Sequence, residues 1–362
     1  MNWDSLCFNI ATLIAGAFVL DFGADKFIDH TVIVGQRLGI SPTLIALLTA
    51  GAEYEELAVI VAAILQHRSP LALGNAMGSA ISNILGAFSL GLLCHPDRVD
   101  FDSSAKMYSV LLLSVTTLFV ALAFFHQLNR VTGGILIGVF ALYIMSIGYA
   151  IYRGITQPTY LSDSDNDDEL PIADAERPIG PSTSENSPLL GNANPPQGTI
   201  TTVEETDRNP PRPLYQHVFQ LLLGLLALSL SGYILAHSAG AVADSLHLSG
   251  TVFGLTVIAF ATTLPEKLLS ILSGFRGQGG IIVATTAGSN IFLLTLCVGI
   301  VAVAGIPVDE ADTFLLFDLA TVWMSSLCFT AVVFLGPSRL AGLVLLAAYI
   351  VFLVLEFTVY KR

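Results

Sequence analysis

The sequence predicts an all-α integral membrane protein of ten transmembrane helices, arranged as two inverted five-helix repeats. Three observations lead there. Charged residues make up 12% of the chain and hydrophobic ones 54%, with a mean hydropathy of +0.73, whereas a soluble domain carries roughly 25% charged residues. Ten apolar runs have about the 20-residue length that crosses a bilayer as helix. The same rare polar letters recur in both halves at a spacing of 210 residues.

The runs fall at roughly 5–25, 41–65, 70–93, 107–126, 131–152, 215–237, 249–273, 280–304, 313–335 and 339–360. The first lacks a basic leader and a small-residue cleavage site, so it is expected to stay as a span. Sharp breakers separate neighbours: "SP" at 69–70, "RGQGG" at 276–280, "GP" at 336–337. Between the fifth and sixth runs, 153–214 is rich in Pro, Ser, Asn, Asp and Thr and is expected to be disordered. The domains are thus 1–152, a first half of five helices, the linker 153–214, and a second half, 215–362. Lys26, Arg37, Arg98, Lys106, Arg153, Arg276 and Arg339 fall in loops on the linker side, against Arg68, Arg130, Lys361 and Arg362 opposite. The positive-inside rule then makes the linker cytoplasmic and puts both termini on the other face.

The four cysteines (Cys7, Cys94, Cys297, Cys328) show no metal-ligand spacing, and no hydrolase, metalloprotease or P-loop motif is present. Paired intramembrane acids also serve membrane aspartyl proteases, but no GxGD motif occurs, so no enzyme is expected. The acids themselves are the informative feature. "TAGAEYEEL" (49–57) aligns with "AFATTLPEK" (259–267), and "GNAMGSAISN" (74–83) with "ATTAGSNIFL" (284–293). Glu56 meets Glu266, Gly78 meets Gly288 and Ser79 meets Ser289. An acid at mid-bilayer costs about 3 kcal/mol even on the lenient insertion scale, so it is kept for a function or held by a partner. Copies five spans apart cross in opposite directions, and inverted repeats with interrupted helices are a transporter architecture. Pro265 interrupts the seventh run, and Gly51 weakens the second. Two facing carboxylates, the hydroxyls of Thr262, Thr263, Ser79 and Ser289, and freed carbonyls make an all-oxygen set suited to a hard cation, calcium above all. The same acids bind protons in exchange.

These stretches, "FATTLPEKLLS" with "AGSNIF" and "EELAVIVAAI" with "LALGNAMGSAISNILG", resemble the two alpha-repeats of the calcium/cation antiporter superfamily, which includes sodium/calcium and proton-coupled calcium exchangers. The first repeat would span about 40–93 and the second about 250–303. The resemblance implies calcium-binding glutamates at Glu56 and Glu266. It implies ion-lining hydroxyls or carbonyls at Thr49, Ala52, Glu53, Ala259, Thr262 and Thr263, serines at Ser79 and Ser289, and an amide at Asn83. It further implies alternating-access exchange of calcium, or a related divalent cation, for sodium or protons, without a resident cofactor.

Departures from the family pattern accompany these matches. Ala52, Glu53 and Glu55 stand where Thr, Ser and Pro are usual; Thr285 and Leu293 stand where amides or an acid are usual. Glu53 and Glu56 share a helical face and Glu55 does not. The added acid favours proton coupling or an altered selectivity over calcium with several sodium ions. The alternative is a non-transporting relative acting as a membrane sensor or scaffold. Lys267, next to Glu266, is expected to face a neighbouring helix or to snorkel; the alternative is an internal cation that competes with the metal. Asp21 and Asp25 are expected at an interface, and Asp318 is expected to be structural, with a supporting role as its alternative. In the linker "ENSPLL" has the shape of an acidic di-leucine signal (Glu185, Leu189, Leu190), whose reader is a sorting adaptor for endosomal or vacuolar membranes.

Overall fold

The structure, a computed structural model, describes residues 3–39, 53–95, 101, 103–152, 213–305, 314–336 and 338–360, all helices and their short connections. The linker apart from Pro213 and Leu214, the front of the second run with Thr49, Gly51 and Ala52, and the di-leucine residues lie outside the described residues. In chain order the helices are α1 (Trp3–Arg37), α2 (Tyr54–Leu65), α3 (Ser69–Cys94), α4 (Ser103–Phe124), α5 (Arg130–Tyr152), α6 (Leu214–Leu246), α7 (Gly250–Thr262), α8 (Leu264–Phe275), α9 (Gly279–Ala304), α10 (Leu316–Leu335) and α11 (Arg339–Thr358). Among the described residues, eight are long and apolar enough to cross a membrane, and the pair α7–α8, bent by 48°, makes a ninth if counted as one span.

Burial sorts the helices into two layers. In α3 and α9, 83% and 78% of the apolar stretch is buried inside the protein; in the other six long helices the share is 11–39%. The two central helices are therefore the ones that carry the Gly-Ser motifs, and the rest turn Leu, Phe, Ile and Val outward, as a lipid-facing surface requires.

Helix boundaries repeat at the spacing read from the sequence. Tyr54–Leu65 shifted by 210 positions coincides with Leu264–Phe275, and the ends of α3, Ser69 and Cys94, fall on those of α9, Gly279 and Ala304. Both central helices loosen into π turns at equivalent places, Ser82–Phe88 and Leu293–Cys297. Left-handed turn residues pair as well: His67 (φ 57°) with Gly277 (φ 70°), and His126 (φ 53°) with Gly336 (φ 90°). Thr116 and Ser326, one spacing apart, hydrogen-bond to each other at 2.9 Å between α4 and α10. A residue that meets its own counterpart lies on the axis relating two copies.

Small residues set the close approaches, as is usual between membrane helices. A Cβ on Gly78 would fall on the backbone of Leu255 in α7, and one on Gly74 on the Thr251 carbonyl. Gly133 of α5 and Gly299 of α9 each face the other's carbonyl, and Gly342 of α11 faces that of Ser89 in α3, the position equivalent to Gly299.

One expectation needs correction. The first apolar run was bounded near residue 25, with Lys26 placed in a loop; instead α1 continues for 35 residues to Arg37, and Lys26 is inside it. The run of apolar letters ends at Asp21, Asp25 and Lys26, but these residues do not break a helix, and α1 packs along α6, itself 33 residues long. At 1.5 Å per residue α1 measures about 52 Å, well beyond a hydrocarbon core of ~30 Å. Asp318 serves its own helix, the structural role expected of it: its carboxylate accepts from the Leu315 N–H at 2.9 Å and caps α10.

Candidate cation site

Two helices begin at the same place. At Glu53 the backbone is non-helical (φ −83°, ψ 76°) and α2 starts after it; at Thr263, the equivalent position, it is non-helical again (φ −93°, ψ 18°) and α8 starts. Pro265 sits in the first turn of α8, where its missing N–H breaks no helical bond. Glu56 and Glu266 stand in the first turns of the two helices, where the N-terminal end of the helix dipole favours negative charge.

Glu53, Glu56 and Glu266 come together: one carboxylate oxygen from each lies within 4.8 Å of the others. Glu53 and Glu56 are buried, and Glu266 partly so. Glu55 points elsewhere and is not in the group. Three ionised carboxylates at this spacing repel by about 3 kcal/mol per pair at an effective dielectric constant near 20. The site therefore demands positive charge. Opposite oxygens on one calcium ion stand roughly 4.6–5.2 Å apart, twice the Ca–O bond, so the three side chains match a single hard cation.

Other polar atoms are buried in α3, α7 and α9. Both carboxylate oxygens of Glu56, Oε2 of Glu266 and both amide atoms of Asn83 are buried without a hydrogen-bond partner among the described residues. Asn75 and Asn290 are in the same condition on α3 and α9. Thr262 donates to the Ile258 carbonyl at 3.1 Å, which leaves Ser79 to donate to Thr262 across 3.5 Å. Ala259 is buried, and its carbonyl accepts from the Thr263 hydroxyl at 2.5 Å. Ser289 is buried on α9 just before its π turn.

Thr263 is turned to a different partner. Its hydroxyl and its carbonyl both accept from the Lys267 ammonium, the carbonyl at 3.0 Å. Lys267 is buried, its Nζ also donates to Ser82 at 2.9 Å, and it lies 4.9 Å from the centre of the Phe260 ring. Ser82 in turn pairs with Thr263 at 2.8 Å and with the Tyr349 hydroxyl of α11 at 2.9 Å. Sequence reading missed Ser82, Tyr349, Asn75 and Asn290. The two asparagines carried a legible signal, an amide in an apolar run beside a Gly-Ser motif; Tyr349 carried none.

Against known proteins, the model of the family described as sodium/calcium exchanger protein matches residues 8–148 and 216–358. The chain is 28% identical over 308 residues to the CaxA protein of Alkalimonas amylolytica, covering 83% of each. It is 24% identical to the sodium/calcium exchanger MaX1 of Methanosarcina acetivorans, covering 96% of this chain and 98% of that one. Among solved structures, the sodium-calcium exchanger NCX_Mj aligns with a TM-score of 0.53 at 19% identity over 96% of this chain and 98% of that one. Native YfkE aligns with a TM-score of 0.61 at 15% identity over 97% and 91%. At those identities the two structures speak for the fold. The family match, which covers most of both halves, decides membership: this multi-pass membrane protein belongs to the sodium/calcium exchanger family.

Proposed function

We propose that the protein is a secondary active antiporter that exchanges calcium, or a related divalent cation, for protons or sodium by alternating access. The ion is held at mid-membrane between Glu56 and Glu266, with Glu53 as a third carboxylate. The observation that carries this reading is the convergence of three carboxylates at α2 and α8, two helices that start at equivalent positions. Ten spans in two inverted five-helix halves, 1–152 and 215–362, are the architecture we infer. The repeating helix boundaries and the Thr116–Ser326 pair support it. The linker is placed in the cytoplasm with both termini opposite, and an endomembrane such as the vacuole follows from the di-leucine signal.

A second reading, a non-transporting sensor or scaffold, is favoured by one observation: Lys267 occupies oxygens of Thr263 that an ion would need. Calcium uptake into proteoliposomes, under an imposed proton gradient or an imposed sodium gradient, separates the readings. The antiporter reading expects uptake driven by at least one gradient. Response to sodium alone removes the case for proton coupling, and uptake under neither gradient leaves the scaffold.

A further inference from the structure

Around the starts of α2 and α8 the halves differ in charge at three positions, one of them, Glu55 against Pro265, outside the carboxylate group. Just before the two helices, the first half has Glu53 where the second has Thr263. One turn later the first half has Leu57 where the second has Lys267, 210 positions on. Glu53 joins the carboxylate group, whereas Lys267 enters a pocket of neutral oxygens and meets no carboxylate at ion-pair distance among the described residues.

The hydrogen-bond inventory of that pocket closes only around an ammonium. The Thr263 hydroxyl gives its proton to the Ala259 carbonyl, so toward Lys267 and Ser82 it can only accept. Ser82 must then donate to Thr263 and accept from Lys267 and Tyr349. Three acceptors, the Thr263 hydroxyl, the Thr263 carbonyl and the Ser82 hydroxyl, take the three N–H donors of a charged lysine with none left over. Hydroxyls and a carbonyl without a carboxylate are a donor set for a monovalent cation, and the Phe260 ring adds cation–π attraction. Space is provided on the opposite wall: a Cβ on Gly86, in the π turn of α3, would stand 3.2 Å from Lys267 Cε and 3.6 Å from the Tyr349 ring.

We propose that the Lys267 ammonium is a tethered cation in a monovalent-cation subsite built by Ser82 and Thr263, and that it replaces one coupled ion. This rests on the antiporter reading. Three carboxylates and one ammonium leave two negative charges, which one divalent cation or two monovalent cations neutralise. Exchange is then electroneutral, two monovalent charges per calcium. Without the ammonium three negative charges remain, and a third monovalent ion joins each cycle.

The test is the steady-state calcium gradient reached by proteoliposomes under a fixed driving-ion gradient, with membrane potential set by potassium and valinomycin. In the wild type the gradient is expected to be indifferent to potential. In Lys267→Met, one net charge per calcium shifts it about tenfold per ~59 mV. The gradient is a thermodynamic quantity, so a slow variant still reports it. A wild-type gradient that moves tenfold per ~59 mV overturns the proposal even where Lys267→Met fails to fold. An unmoved gradient in folded Lys267→Met overturns it as well, leaving the lysine a packing role. No wild-type accumulation under any gradient contradicts the antiporter reading itself, and this proposal with it.

Discussion

Glu53 shows how much a single letter can carry. In the sequence it is an acid where the family pattern has a neutral hydroxyl; in the structure it stands just before the first residue of α2 and is one of three clustered carboxylates. Calcium affinity follows the number of charged ligands, so Glu53→Gln is expected to weaken calcium binding by tenfold or more in titration calorimetry, while Glu55→Gln leaves it unchanged. Asp318 plays the opposite part: buried and acidic, it caps α10. Asp318→Ala is expected to cost about 1 kcal/mol of stability, seen as a lower unfolding temperature in detergent, with calcium flux retained. The acids were legible because an ionisable residue in an apolar run is rare. The partnership of Lys267 with Ser82 and Tyr349 was not, since it joins three helices distant in sequence and its members are ordinary letters.

At the scale of elements, apolar runs located every described helix to within a few residues, except where charge interrupts a run that the helix does not end. The tail of α1 past Asp21 and that of α6 past His237 are such places: propensity and mutual packing continue the helix where hydropathy stops. The π turns of α3 and α9 left no mark in the sequence, because they depend on hydrogen-bond register rather than composition. Glycine packing is more readable, and also testable. Gly78→Val would drive a branched side chain into the Leu255 backbone. A loss of about 1–3 kcal/mol or more is expected from overpacking, read as a lower unfolding temperature or failure to assemble.

For the whole molecule, the central claim is that two halves meet to hold one cation. The 210-residue spacing was visible in a handful of letters, yet it recurs in helix ends, in the π turns of the two central helices and in two pairs of left-handed turn residues. Identity between the halves is low because only the positions facing the ion, or at close helix contacts, need keep their chemistry. The most direct test is calcium flux through Glu56→Gln and Glu266→Gln, one change in each half, reconstituted beside the wild type under the same ion gradient. The account predicts that wild-type vesicles accumulate calcium and that each variant, though folded, accumulates none. Wild-type flux in either variant would contradict it.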